Sequence, residues 1–208
     1  MTADPGLGAP GADLTQFPRW TLTPDAPIYR AVTADRAPWW FGSDGTQRFD
    51  LAPPRGTCYV AMDIETAIRE KGRRSVLSKN VLDPAFLASF EVYELRLPAR
   101  VSLADTSSAE AVRFGINREI STIEQYRLTC QWAEAFDMAG FDGIRYASRF
   151  TSSAAGNAVA VFGQQGNAEW PHVRKLSGVE AARRAGMDSM IAVPPLSKTA
   201  TMARPPES

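Results

Sequence analysis

Short strand and helix signals alternate at irregular spacing along this 208-residue chain, and this mixture limits the folds that the chain can adopt. Asp63 can cap a helix that runs through Glu70. A second helix, ending near residue 140, is predicted from apolar residues that share one face: Tyr126, Cys130, Ala133 and Phe136. Segments rich in β-branched and aromatic residues predict strands over 27–32, 57–62, 90–97, 143–146 and 158–162. Irregular mixing of this kind favours an α+β fold over a regular doubly wound sheet.

The two ends of the chain are predicted to lie outside the folded domain. Residues 1–17 are rich in Gly, Ala, Pro and Asp without periodic apolar positions, which predicts a flexible tail. Beyond about residue 163 the pattern is weak again, with one short helix predicted over 179–185 and a Pro-rich, disordered tail from 193. We therefore expect a domain over 18–164 and a partly helical extension over 165–208, and we expect neither end to carry chemistry.

Composition and motifs exclude several classes of function. Lys+Arg and Asp+Glu number 23 each, so no net charge draws the chain toward nucleic acid. Two cysteines and one histidine do not provide a zinc site or a disulfide framework. The chain has no basic-then-apolar leader and no apolar run near 20 residues, so we expect a cytoplasmic protein without membrane contact. Phosphate-loop, dinucleotide-fold and HExxH motifs are lacking, and a nucleophile pair would depend on His172 in the weak C-terminal part.

The remaining chemical candidates are arginines, a glutamate and serines beside aromatic residues. Arg30 lies in a predicted strand, where it forms either a structural ion pair or an anion-binding fork. Arg48, taken alone, reads as a surface arginine in a turn-rich loop. Glu70 is either a solvated helix residue or one that points inward. The aromatic run WWFG over 39–42 either covers the core or forms a wall for a planar ligand.

Together these segments resemble the RES domain, a family named for an arginine, a glutamate and a serine in that order. In this chain the three residues are Arg30, Glu70 and Ser148. The resemblance covers roughly residues 27–162, and it rests on the order and spacing of seven segments: 29–30, 39–42, 48–50, 56–61, 67–70, 141–149 and 157–162.

The resemblance implies a fold similar to that of ADP-ribosyltransferases, a split mixed sheet with flanking helices. It implies an enzyme that degrades NAD+ at the nicotinamide–ribose bond, by hydrolysis or by phosphorolysis, with no cofactor and with inorganic phosphate as co-substrate in the second case. Known members are largely toxins whose partner is a small Xre-like antitoxin. Because both ends of the sequence lie outside the pattern, the resemblance leaves open whether this chain has such a partner. The sequence does not fix the oligomeric state, and a homo-oligomer is one alternative.

The resemblance also suggests roles for individual residues. Glu70 would stabilise an oxocarbenium-like ribose, and Arg30 and Arg48 would hold the pyrophosphate or an incoming phosphate. Ser148 would either hydrogen-bond the substrate or orient Glu70. The remaining substrate-binding candidates are two tyrosines near the nicotinamide and two residues of the family's closing segment: Tyr29, Tyr59, Arg149 and Asn157.

Two other functions are compatible with the same pocket. The first is an ADP-ribosyltransferase that modifies a protein. The second is a catalytically silent RES-like module that binds NAD+ without turning it over.

Overall fold

The computed structural model describes residues 6–11, 13–33, 36–79, 81–152 and 156–192, with the backbone alone for 74–79. The strands are β1 Arg19–Leu22, β2 Ile28–Thr33, β3 Trp40–Phe41, β4 Arg55–Ala61, β5 Phe90–Leu95, β6 Val101–Asp105, β7 Gly143–Tyr146, β8 Ala158–Gln164, β9 Gly166–Asn167 and β10 His172–Ser177. The α-helices are α1 Ile64–Lys79, α2 Pro84–Ala88, α3 Glu119–Thr122, α4 Tyr126–Met138 and α5 Gly178–Arg184. Two 3-10 turns span Ala109–Phe114 and Asp188–Met190.

Eight strands form one mixed sheet in the order β1-β6-β7-β8-β4-β2-β5-β10. Strands β6 and β7 run parallel, and the other neighbours are antiparallel. At the centre, β2 and β4 meet at a single register position, Tyr29 opposite Ala61, whereas β4 and β8 are paired from Arg55 to Ala61. The sheet is therefore split into two halves, and a cleft opens where they diverge. These features confirm the predicted α+β class and the split mixed sheet.

The two predicted helices form for the reasons that the sequence suggests. Asp63 caps α1, since its carboxylate accepts hydrogen bonds from the backbone N–H of Thr66 at 2.6 Å and from the hydroxyl of Thr66 at 2.8 Å. The helix kinks at Arg73, whose φ of 48° lies in the left-handed region. Helix α4 buries Trp132 and Phe136, and the chain leaves it through Gly140 at a φ of 78°.

Alternate side chains of each strand enter cores on opposite faces of the sheet. In β8, Phe162 packs beneath α4, whereas Val161 belongs to the core that contains Phe41 of β3. In the other half of the sheet, Val92 of β5 joins the core covered by Ile68 of α1 and Leu87 of α2. Helices α1 and α4 therefore cover the same face of the two halves, on either side of the split.

The N-terminal segment differs from the flexible tail predicted over residues 1–17. In its described part Leu7, Leu14 and Phe17 are all buried in the core beneath α4. The backbone N–H of Leu7 donates to Glu119 at 2.9 Å, and the indole of Trp132 donates to the carbonyl of residue 8 at 2.9 Å. Three apolar residues at irregular spacing carry no periodic signal, yet each one fills a site in the core.

The C-terminal part extends the sheet beyond the boundary predicted at residue 164. Strand β10 pairs with β5, and α5 buries Ala181 and Ala182 against the core. The helix predicted over 179–185 is confirmed by α5. The tail predicted from residue 193 lies outside the described residues. No helix in the described ranges is long and apolar enough to span a membrane.

Candidate active site

A cleft of about 540 Å³ opens at the split between β2 and β4. Six of the eight residues predicted for the site line it: Tyr29, Arg30, Arg48, Tyr59, Glu70 and Arg149. The other two, Ser148 and Asn157, are buried behind the wall that carries Arg149. Segments far apart in the sequence therefore converge on one cavity.

Glu70 is the carboxylate of this cleft that lies on α1. Burial raises the pKa of Glu70 above its usual value, because the charged form loses hydration there. Four groups act in the opposite direction by favouring the carboxylate: the hydroxyl of Ser148 by a hydrogen bond, and the charges of Arg48, Arg73 and Arg149. The result is a half-buried anion surrounded by cations, which fits a group that must stabilise a developing positive charge.

Ser148 supports Glu70 from behind and does not line the cleft. It is 3% exposed, its hydroxyl bonds the Glu70 carboxylate, and its Oγ also accepts from the backbone N–H of Phe150 at 3.1 Å. Of the two roles left open by the sequence, this geometry fits the orientation of Glu70 and not a direct contact with substrate.

Asn157 does not fit its predicted role in substrate binding, because its amide is fully engaged inside the protein. Its Oδ1 accepts from the backbone N–H of Ser148 at 2.9 Å. Its Nδ2 donates to Thr66 Oγ1 at 3.0 Å and to Thr151 Oγ1 at 2.9 Å. Since Thr66 is in turn bonded to Asp63, a continuous hydrogen-bonded network joins the N-terminus of α1 to the loop that carries Ser148.

Arg30 projects from the middle of β2 and forms no ion pair with a described carboxylate. Its Nη1 donates to the carbonyl of Pro38 at 2.6 Å and of Trp40 at 3.3 Å, and it lies 3.0 Å from the Sγ of Cys58. All three contacts use one nitrogen, the guanidinium has no further hydrogen bond among the described residues, and Arg30 lines the cleft. This arrangement favours the anion-binding fork over the structural ion pair.

Arg48 is not the surface arginine that its loop suggests. It is 9% exposed, its Nη1 donates to the carbonyls of Ile120 and Ile123, and its guanidinium lies 5.1 Å from the ring centre of Tyr126. Burial lowers the pKa of Arg48. An arginine fixed in this way presents a constant positive charge to the cleft.

The two predicted tyrosines line the cleft in different ways. The hydroxyl of Tyr59 donates to Asp50 at 2.9 Å and accepts from the backbone N–H of Phe49 at 2.8 Å. Burial raises the pKa of Tyr59 well above its usual value, so the hydroxyl stays protonated. Because its polar group is already engaged, only the ring of Tyr59 is available to a ligand. Tyr29 lines the cleft from β2 as a half-buried residue.

Several lining residues were not predicted from the sequence. Trp40, in the aromatic run predicted either to cover the core or to form a wall for a planar ligand, lines the cleft; the unpredicted residues include two further tyrosines and three cations: Tyr126, Tyr146, Arg36, Lys71 and Arg73. A signal for two of them was present, because the run IREKGRR places several cations directly around Glu70. Among the described residues six cations and three carboxylates line the cleft: Arg30, Arg36, Arg48, Lys71, Arg73 and Arg149, with Asp44, Asp50 and Glu70. The excess of positive charge suits an anionic ligand.

Comparisons with known proteins agree with this geometry. The family model described as RES domain matches residues 27–182, so the chain belongs to the RES domain family, as predicted. A search of curated proteins found no match. Among solved structures, a chain of the M. tuberculosis MbcT–MbcA toxin–antitoxin complex is similar with a TM-score of 0.57 and 14% identity, over 86% of this chain and 97% of that chain. At this identity the similarity shows the fold.

Proposed function

We propose that the chain binds NAD+ in this cleft and breaks the bond between nicotinamide and ribose. The observation that carries the proposal is the half-buried Glu70, bonded to a buried Ser148 inside a cleft with an excess of cations. These charges complement the two charges of the substrate. The carboxylate suits the cationic nicotinamide ribose, and the cations suit the anionic pyrophosphate. Membership of the RES family agrees with this function.

The chemistry requires little proton transfer, which fits a site without histidine. When the C–N bond breaks, its electron pair stays on the nicotinamide nitrogen, so nicotinamide leaves as a neutral base. Positive charge develops on the ribose, where the Glu70 carboxylate stabilises it. An oxygen of water or of inorganic phosphate then forms the new C–O bond. Water gives up a proton to Glu70 or to solvent, whereas a phosphate dianion attacks without losing one.

The arginines would position the substrate. Arg30 offers its guanidinium to the pyrophosphate or to an incoming phosphate, and Arg48 and Arg149 add charge beside Glu70. Tyr29 and the ring of Tyr59 would pack near the nicotinamide.

Products of the reaction test the proposal. Purified protein is incubated with NAD+, with and without inorganic phosphate, and the products are separated by chromatography. We expect free nicotinamide, together with ADP-ribose for hydrolysis or a phosphorylated ADP-ribose for phosphorolysis. Glu70→Gln should lower the turnover rate about 10²- to 10³-fold. The matched control is Glu65→Gln on the same helix, where Glu65 pairs with Arg69 at 2.7 Å outside the cleft and the rate should persist.

Other outcomes of the same assay contradict the proposal in distinct ways. Label transferred from NAD+ to a protein identifies an ADP-ribosyltransferase. Binding of NAD+ without any nicotinamide release, from folded wild-type protein, identifies a silent binding module.

We also propose that the chain acts in the cytoplasm as the toxin of a toxin–antitoxin pair. The support is the RES family and the similar fold of a chain solved in a toxin–antitoxin complex. Induced expression in a bacterial host should deplete NAD+ and stop growth, and Glu70→Gln should do neither. Co-expression of a small Xre-like protein encoded by the neighbouring gene should restore growth. Unchanged NAD+ and growth on expression of folded wild-type protein contradict this proposal.

A further inference from the structure

Trp40 is a large apolar side chain exposed at the mouth of the cleft. It is 53% exposed, whereas its neighbours Trp39 and Phe41 are 0% and 1% exposed and both pack edge-on against Trp170. Side chains alternate along a strand, so the burial of the two neighbours directs Trp40 outward. Trp40 then lines the cleft, and no packing contact within the described residues requires a large apolar side chain there.

The backbone on either side of this indole is held in place. The carbonyl of Trp40 accepts from Arg30 Nη1 at 3.3 Å, and that of Trp39 accepts from the backbone N–H of Ala168 at 2.9 Å. Two residues after Trp40, Gly42 and Thr57 exchange two backbone hydrogen bonds, of 3.0 and 2.7 Å. No aromatic ring of the described residues stacks on Trp40. The backbone that carries the ring is therefore fixed, and the exposed ring offers a surface on which a planar group can stack.

A cluster of cations lies next to this surface. Arg30 contacts the backbone of Trp40, and Lys71, which follows Glu70 in α1, interacts electrostatically with Arg30, Arg36 and Arg73. The Lys71 Nζ donates to the hydroxyl of Thr33 at 2.7 Å, and neither Lys71, Arg30 nor Arg36 forms an ion pair within the described residues. Clustered positive charge without a carboxylate partner favours an anion.

We propose that Trp40 is the platform on which the adenine ring of the substrate stacks, with Lys71 and Arg30 holding the phosphates between Trp40 and Glu70. The inference rests on the proposed function and deepens it, because the cleft then recognises the whole dinucleotide and not its nicotinamide half alone. The order follows from the positions of these residues: Arg30 contacts the backbone of Trp40 and interacts electrostatically with Lys71, and Lys71 and Glu70 are consecutive residues of α1 that both line the cleft.

Two substrates with the same scissile bond test this order. NAD+ carries the adenosine phosphate half, and nicotinamide mononucleotide lacks it. Trp40→Ala should lower kcat/KM for NAD+ about 5- to 150-fold, the range for loss of one base stacked on an aromatic ring, and should leave the mononucleotide unchanged. Trp40→Phe should restore most of the loss. The control is Met138→Ala, since Met138 is 88% exposed on α4 outside the cleft, and both substrates should be unaffected. An equal loss on both substrates, or no loss on either, overturns the inference.

Titration with ligands that cannot react separates this inference from the proposed function. ADP should bind wild-type protein, Trp40→Ala should weaken that binding by a similar factor, and inorganic pyrophosphate should bind both proteins equally. Lys71→Gln should weaken both ligands. If wild-type protein releases no nicotinamide and yet ADP follows this pattern, the proposed reaction fails and the adenine platform stands. If ADP binds Trp40→Ala as tightly as wild type, the platform fails whatever the reaction.

Discussion

Replacement of Asn157 by alanine tests the network that supports the site. The amide of Asn157 is 9% exposed and forms three hydrogen bonds, to the backbone N–H of Ser148 and to the hydroxyls of Thr66 and Thr151. Alanine removes all three bonds and leaves the Ser148 N–H as a buried donor without a partner.

The expected cost follows from those three bonds. A buried donor left unsatisfied costs about 1–3 kcal/mol, and each further hydrogen bond contributes about 0.5–1.5 kcal/mol net. Asn157→Ala should therefore lower the free energy of unfolding by about 2–6 kcal/mol. Thr151→Val removes two bonds, the one accepted from Asn157 at 2.9 Å and a longer one donated to the carbonyl of Ser148 at 3.4 Å, and should cost about 1–3 kcal/mol. The control is Asn117→Ala, where an exposed side chain accepts one bond from the backbone N–H of Glu119 at 2.8 Å and the cost should stay near 1 kcal/mol or below.

Urea unfolding and the pH dependence of NAD+ cleavage measure the two consequences of this change. Loss of Asn157 frees the loop that carries Ser148, and the Ser148 hydrogen bond lowers the pKa of Glu70. When that bond weakens, the pKa of Glu70 rises, so the acid limb of the rate profile should move to higher pH. A purely structural residue changes stability without moving this limb. If Asn157→Ala lowers the free energy of unfolding by less than about 1 kcal/mol and leaves the acid limb unmoved, Asn157 does not support the site in this way.

Three further predictions concern other parts of the structure. Because burial raises the folded-state pKa of Glu70, its protonated form stabilises the fold below the unfolded-state pKa, and this contribution is lost as pH rises through the folded value. Glu70→Gln should therefore raise the unfolding free energy at neutral pH by about 0.5–2 kcal/mol, as measured by urea titration. This gain should disappear at about pH 4. An equal gain at both pH values contradicts the prediction. Arg30→Lys should weaken NAD+ binding, measured by calorimetry, about 10- to 100-fold. A lysine cannot donate to the carbonyls of Pro38 and Trp40 and still reach a ligand in the cleft. An unchanged affinity would exclude Arg30 as a phosphate-binding residue. Gly178→Ala should destabilise the protein by about 1–3 kcal/mol in thermal unfolding, because the added Cβ would lie 2.2 Å from the carbonyl oxygen of Leu87 in α2. An unchanged stability would contradict this close contact between α5 and α2.

The strands predicted from the sequence are those with strong local signals. The segments predicted at 27–32, 57–62, 90–97, 143–146 and 158–162 correspond to β2, β4, β5, β7 and β8, because β-branched and aromatic residues dominate them. The strands at the two edges of the sheet, β1 and β10, were not predicted. Edge strands need to bury little, and β10 has the sequence HVRKLS with five exposed residues out of six.

The site was predicted in part because its residues lie on elements with clear local signals. Arg30 on β2 and Glu70 on a helix capped by Asp63 are placed by local sequence. The positions of Ser148 and Asn157 depend on hydrogen bonds between segments distant in sequence, such as the bond from Asn157 to Thr66. No periodicity reports a contact of that kind. The family resemblance therefore found the residues, whereas their division into cleft-lining and supporting groups required the structure.

The cations Lys71 and Arg73 were missed for a related reason. Lys71 reaches the cleft beside Glu70, and the left-handed backbone of Arg73 turns the helix so that its guanidinium bonds Gln47 at 2.8 Å. A kink at a non-glycine residue has no sequence signal of its own.

Release of nicotinamide from NAD+ shows whether Glu70 acts in cleavage of the nicotinamide–ribose bond. Proton NMR of the reaction follows free nicotinamide for wild-type protein, Glu70→Gln and Glu65→Gln, with each variant shown to be folded by its unfolding transition. We expect release by wild type and Glu65→Gln, and a rate about 10²- to 10³-fold lower for Glu70→Gln. Equal release by all three proteins removes Glu70 from the chemistry, and no release by folded wild-type protein contradicts the proposed function itself.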